Sequence, residues 1–174
     1  MTDKISVLIP EEAVTQRINE LADQISKDYE GKQVHIICIL KGSIVFSCDL
    51  AKRLTVPVTF DFMSVSSYGN ETVSSGRVRI LKDLDESIQG KDVLIIEDII
   101  DSGRTLSYLK DLLSSRGPAS LNICTLLDKP DRRETEVEVK YVGFEIPDKF
   151  VVGYGLDYNQ LYRNLPYVGV VELN

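Results

Sequence analysis

The stretch VLIIEDIIDSGRTL, residues 93–106, decides how the rest of the chain is read. Val93 to Ile96 form a short aliphatic run of the kind that fills a strand buried on both faces. Two acids, Glu97 and Asp98, follow at once, and Asp101-Ser102-Gly103 then opens a helical pattern from about Arg104 to Ser115. Such a junction aims the carboxyl end of a strand and the first amides of a helix at one spot, and in open parallel sheets ligands bind at that edge. Amides from about Ser102 to Thr105 have no preceding helical carbonyl, and Gly103 allows close approach. Hydroxyls on Ser102 and Thr105 complete a set suited to a phosphate monoester. Glu97 and Asp98 are expected at the strand's tip, too polar to continue into the core, where their oxygens would hold sugar hydroxyls or a hard cation. A simpler reading stays open: Asp101 and Ser102 cap a helix, and the acid pair is solvated.

Outward from this junction, strands and helices alternate. Val14, Ile18, Leu21 and Ile25 recur at helical spacing and predict a first helix over 11–29, closed near Gly31. VHIICIL (34–40) predicts a buried strand, followed by a Lys-Gly-Ser turn and a helix from about Ile44 to Leu54. A strand is expected over 56–63. SSYGNETVSSG (66–76), rich in Ser, Gly, Asn and Thr, is expected to be a mobile loop. RVRILKDL (77–84) alternates like a half-exposed strand, SLNICTLLD (120–128) reads as another buried strand, and YVGFEI, FVVGYG and YVGVVEL supply short strand-like pieces near the end. The alternation predicts an α/β fold with a central, mostly parallel sheet flanked by helices.

With 174 residues, 43% of them hydrophobic, the chain can bury a core as a single domain over 1–174. Its apolar runs fall far short of the roughly 20 residues that span a bilayer. The first residues meet charge early and show no secretory signal pattern, so a cytoplasmic setting and no membrane partner are expected. Cys38, Cys48 and Cys124 lack ligand spacing and lie in apolar surroundings, which predicts reduced, buried thiols. A net charge of −7 argues against a nucleic-acid partner, although a few oriented amides and one or two cations can still form a local phosphate pocket.

IIEDIIDSGRTL resembles the phosphoribosyl diphosphate-binding signature of type I phosphoribosyltransferases: a hydrophobic strand, two acids, two apolar residues, then Asp, Ser or Thr, Gly and Thr. LKGS (40–43), SSYG (66–69), LLDKPDRR (126–133) and VGFEIPDKFVVGYGLDYNQLYRNLPYVG (142–169) are similar, in order, to segments of hypoxanthine-guanine phosphoribosyltransferases. The resemblance implies the type I fold with a small hood built from N- and C-terminal segments. It also implies purine salvage: transfer of phosphoribosyl from its diphosphate to hypoxanthine or guanine, giving IMP or GMP.

By the same resemblance, the turn Asp101, Ser102, Gly103, Arg104 and Thr105 holds the 5′-phosphate, while Glu97 and Asp98 face the ribose hydroxyls and Mg2+. Asp101 is the catalytic acid–base residue beside purine N7, a task that needs a carboxylate within hydrogen-bond reach of the imidazole edge. Lys41 and Gly42 form the diphosphate loop, with a cis peptide between Leu40 and Lys41. Ser67 and Tyr68 open a loop that closes over the diphosphate, and Arg163 meets the leaving group with a planar, permanently charged fork. Lys129 donates to purine O6, an atom that must accept because an ammonium only donates. Phe150 stacks on the base and Val151 meets its far edge. Asp157 lies at the purine site and holds a second Mg2+ through water.

Local sequence leaves plainer readings for several of these. The Lys-Gly turn would serve as an ordinary connection, Arg163 as a surface arginine and Phe150 as core packing. His35, the single histidine, lies in a strand run and is read as structural. The rival class is a regulator of the same fold that binds nucleic acid and senses nucleotides. The acidic balance and the presence of Asp101, Lys129 and Asp157 speak against it. The family further implies a homodimer or homotetramer.

Overall fold

The computed structural model describes residues 3–68 and 77–172. Six strands form the main sheet: β2 (Val34–Leu40), β3 (Val58–Tyr68), β4 (Arg77–Lys82), β5 (Asp92–Ile100), β6 (Ser120–Asp128) and β7 (Tyr141–Glu145), in the order β4-β3-β2-β5-β6-β7. Every pairing is parallel except β3 with β4. β2 and β5 run side by side in its middle, with Val34 opposite Asp92 and Cys38 opposite Ile96. Strand order reverses there: the chain proceeds from β2 outward through β3 to β4, then returns to start β5 on β2's other side. That reversal opens a crevice beyond the strands' carboxyl ends, the usual ligand position in such sheets.

Helices cover both faces of the sheet. α1 (Glu11–Asp28) buries Val14, Ile18, Leu21, Ala22 and Ile25 against one face, together with α2 (Ile44–Ala51). Burying each of its larger aliphatic side chains contributes about 1.5–3 kcal/mol, enough to hold a helix whose N-cap, Pro10, supplies no side-chain hydrogen bond. α3 (Arg104–Ser114) lays Leu106, Leu109 and Leu113 on the opposite face, over Ile37, Ile39, Val93 and Ile95. Period two along β2 and β5 feeds alternate residues to the two cores, so Ile36 and Leu94 join the α1 side while Ile37 and Ile95 join α3.

A second, antiparallel sheet brings the two ends of the chain together in the order β1 (Lys4–Ile9), β9 (Val168–Glu172), β8 (Val151–Val152). It forms the small hood beside the main sheet. No helix among the described residues is long and apolar enough to cross a membrane.

Several boundaries differ from expectation. β1 is an unforeseen strand; it is mostly exposed, so no buried run marks it, and its pairing with β9 lies more than 150 residues away in sequence. α2 ends at Ala51 rather than Leu54, and β3 begins at Val58, after Pro57, which has no amide to give a ladder. β3 also runs to Tyr68, beyond the expected loop start at 66, because Ser66 and Tyr68 pair with Arg79 and Arg77 of β4. The rest of that loop, 69–76, lies outside the described residues. Cys38 and Cys124 are buried as expected, but Cys48 on α2 is exposed.

Candidate active site

The acid pair is not at a strand tip: β5 continues through Glu97 and Asp98 to Ile100. The reason lies in its neighbours. β2 leaves the ladder after Cys38, opposite Ile96, whereas β6 stays paired, with Glu97 opposite Thr125 and Ile100 opposite Asp128. Beyond Ile96 one edge of β5 faces a gap instead of a strand. The two acids are partly buried there. Burial pushes the Glu97 carboxyl well above the usual range, and the Asp98 charge adds to that. Asp98 is also pushed up by burial, against a hydrogen bond from Glu97 and the more distant Arg163 guanidinium, which favour its charge. An acid pair that desolvation makes costly to ionise is a place where a cation would be favourable.

The turn after β2 fills part of the gap. The Leu40-Lys41 peptide is cis. A side chain on Gly42 would overlap Oδ2 of Asp98, and one on Gly155 would overlap the carbonyl of Gly42. Asp98, Gly42 and Gly155 therefore stack as three layers that tolerate no extra atom between them. Gly155 belongs to the segment after β8, whose Arg163 donates through Nη1 to the Gly155 carbonyl (2.8 Å) and pairs with Asp157 (3.0 Å). Lys41 Nζ donates to Oε1 of Gln160 (3.3 Å) in the same segment.

The turn after β5 is built on Gly103, the N-cap of α3, at φ 83°. Its α-carbon is packed so closely by the Thr135 carbonyl that a β-carbon would overlap it. Ser102 Oγ accepts from the Arg104 amide (3.3 Å), and the Ser102 carbonyl accepts from Glu134 (2.9 Å) and Thr135 (3.0 Å). Segment 134–135 thus straps the turn from outside while its inner side faces open space. A cavity of about 270 Å³ lies between the two turns, lined by Gly42, Glu97, Asp98, Asp101, Ser102, Gly103 and Thr105 among others. Arg104 points away to an ion pair with Glu134 and does not line it.

Lys129 follows β6 directly. Its amide donates to the Ile100 carbonyl (2.9 Å), and its side chain is 8% exposed with Nζ 3.8 Å from Asp148. Arg132 joins this region to the turn: its Nε lies 3.2 Å from Asp101 and 3.5 Å from Asp148. Phe150 is 46% exposed and not in the core, its ring braced edge-on by Tyr158 at 5.5 Å. Val151, the first residue of β8, is buried. The backbones of Ser67 and Tyr68 close β3; their side chains lie outside the described residues. His35 is buried near the start of β2, at the other end of that strand from the Gly42 turn, with Nδ1 2.7 Å from Thr59 Oγ1.

Sequence reasoning misses Arg132, Asp148, Gln160 and Gly155. LLDKPDRR and the 142–169 segment carry all four, yet charge and glycine in those strings do not say which partners they meet. Among the described residues no three His, Cys, Asp or Glu side chains gather as a metal cage. The acid pair of β5, which lines the cavity, instead fits a cation that keeps its water and takes substrate oxygens, as Mg2+ does.

The chain matches the family model described as the phosphoribosyl transferase domain over residues 8–159. It is 54% identical to the bifunctional protein TilS/HprT of Listeria monocytogenes across 95% of its own length, and spans about a quarter (26%) of that longer protein. Against the hypoxanthine phosphoribosyltransferase of Salmonella typhimurium it is 54% identical, covering 99% of this chain and 98% of the relative. A crystal structure of a hypoxanthine-guanine phosphoribosyltransferase from Bacillus anthracis superposes with a TM-score of 0.93 at 50% identity, covering 98% of this chain and all (100%) of that one. With its signature turn, its strand order and its relatives in agreement from end to end, the chain belongs to the phosphoribosyltransferase family, among the hypoxanthine-guanine phosphoribosyltransferases.

Proposed function

We propose that this chain transfers the 5-phosphoribosyl group from phosphoribosyl diphosphate to hypoxanthine or guanine, forming IMP or GMP and releasing diphosphate. The observation that carries the reading is the cavity between the Gly42 turn and the Asp101–Thr105 turn, lined also by Glu97 and Asp98. In this assignment the 5′-phosphate sits on the amides of Ser102 to Thr105, with the positive end of α3 behind it. Arg104, turned toward Glu134, contributes its amide rather than its guanidinium. Glu97 and Asp98 take the ribose hydroxyls. Lys41 and Arg163 receive the diphosphate, assisted by Ser67 and Tyr68.

The purine lies between the exposed face of Phe150 and the Lys129 ammonium, with the Val151 backbone at its far edge. Lys129 donates to O6, which adenine replaces by an amino group that cannot accept. During transfer the C1–O bond to diphosphate breaks and a bond from a purine ring nitrogen to C1 forms. The proton lost from the imidazole edge passes to Asp101. Arg132 Nε, 3.2 Å from that carboxylate, restrains it. Bound Mg2+ would supply charge neutralisation for the diphosphate, held by Glu97 and Asp98 and, through water, by Asp157.

The reading treats residues 1–174 as one domain acting in the cytoplasm as a homodimer or homotetramer, without a nucleic-acid or membrane partner. It is tested by incubating the purified chain with Mg2+, phosphoribosyl diphosphate and, separately, hypoxanthine, guanine, xanthine and adenine. Nucleotide formation from the 6-oxopurines and none from adenine is the expected result. No nucleotide from any base would overturn the reading, and light scattering on the same sample measures the assembly.

A further inference from the structure

Tyr158 and Leu161 bridge one another as an antiparallel pair, exchanging backbone hydrogen bonds of 3.1 and 2.9 Å around the two residues Asn159 and Gln160. Both central residues have positive φ, 51° and 66°, the backbone of a type I′ hairpin turn. Glycine takes the second central position at the least cost, and an unbranched side chain with a β-carbon is disfavoured there. Gln160 nevertheless occupies it, and its side chain is well placed. Oε1 accepts from Lys41 Nζ and from Arg163 Nη2, each at 3.3 Å, while the backbone N–H of Gln160 donates to Asp157 Oδ2 at 2.9 Å. One neutral oxygen thus gathers two cations that reach it from different elements: Lys41 from the turn after β2, and Arg163 from the segment packed on that turn through Gly155.

We infer that Gln160 is a positioning residue for the diphosphate: its amide oxygen converges Lys41 and Arg163 before substrate arrives and yields them to the incoming oxygens. This rests on the proposed reading, in which those two cations receive the diphosphate. A neutral acceptor suits the task. It restricts two long side chains whose freedom would otherwise be lost on binding, and it adds no negative charge to the Asp157 carboxylate that already pairs with Arg163. The turn's left-handed backbone aims the side chain, and Asp157 fixes the turn from behind.

The experiment compares parent, Gln160→Gly and Gln160→Met by calorimetric binding of inorganic diphosphate with Mg2+, and separately of IMP, with thermal unfolding of each protein. IMP carries a 5′-phosphate and a base but no diphosphate. Expected are about tenfold weaker diphosphate binding in both variants, IMP affinity within about twofold of the parent, and a midpoint for Gln160→Gly no lower than the parent's. Diphosphate binding equal to the parent's in both variants overturns the inference, as does an equal loss of IMP, which would mean a damaged loop. A parent protein that binds IMP but not diphosphate overturns the assignment of Lys41 and Arg163, and the inference with it.

Discussion

Oδ2 of Asp98 occupies the space that a side chain on Gly42 would need, so the acid of β5 and the turn after β2 are in direct steric register. Gly155 repeats the relationship on the other side of Gly42. The first prediction follows from this layering. Gly42→Ala must displace the Asp98 carboxylate, the Lys41 peptide or both, by a distance of the order of an ångström. Displacements of that size cost about 10²-fold in rate when they fall on a positioned substrate. Steady-state kinetics should show kcat/KM reduced to that extent, while thermal unfolding shows a folded protein. Parent-like kinetics would mean that the layers slide without consequence.

Asp101→Asn keeps the shape of the turn and removes the proton acceptor. Arg132 can still face the remaining amide oxygen, so the local ion-pair geometry is only partly lost. Turnover should fall by about 10² to 10⁴-fold, the range for losing a positioned acid–base group, with modest change in substrate affinity. Pre-steady-state measurement of the transfer step checks this. An unchanged rate would relieve Asp101 of its catalytic role.

Two central strands were legible because burial on both faces writes itself as an uninterrupted aliphatic run: β2 and β6 coincide with VHIICIL and SLNICTLLD. Period 3.6 marked α1 for the same reason. Reading polarity alone fails at Glu97 and Asp98, where the strand goes on because β6 keeps supplying hydrogen bonds after β2 has stopped. β1 fails likewise, being held by a partner at the far end of the chain. In the site, the phosphate turn is a local object and its string of residues nearly suffices. Gly155 under Gly42, Arg132 beside Asp101 and Gln160 between two cations are products of packing across elements, and no local string encodes a distance between elements.

Lys129 is nearly enclosed, with its ammonium 3.8 Å from Asp148 and its amide tied to β5 through Ile100. Lys129→Ala removes the O6 donor and also leaves Asp148 to Arg132 alone. A hydrogen bond to a charged group is worth about 1.5–3 kcal/mol, so KM for hypoxanthine and guanine should rise by roughly tenfold to a hundredfold. The parent should refuse adenine. Equal use of adenine by the parent would refute the O6 assignment, whatever the variant does.

A last prediction concerns stability away from the cavity. Asp83, just past β4, accepts both forks of Arg116 at 2.7 and 2.8 Å, closing the β4–β5 connection onto the end of α3. The Arg116 hydrogen bonds hold the Asp83 carboxyl below its usual range, outweighing the opposing effect of burial. A depressed acid stabilises the fold fully above its unfolded-state value, near 4. That contribution is lost as the pH falls through the lower, folded-state value. Asp83 is 47% exposed, so solvent screening limits the pair to about 0.5–1 kcal/mol. Asp83→Asn should therefore lower the thermal midpoint by about 1–4 °C at pH 7, and the gap from the parent should narrow as the pH is taken below 4. Raising the salt concentration should narrow it as well, because the pair faces solvent. A gap that persists undiminished in strong acid would assign the stabilisation to packing of the Asp83 side chain and not to its charge.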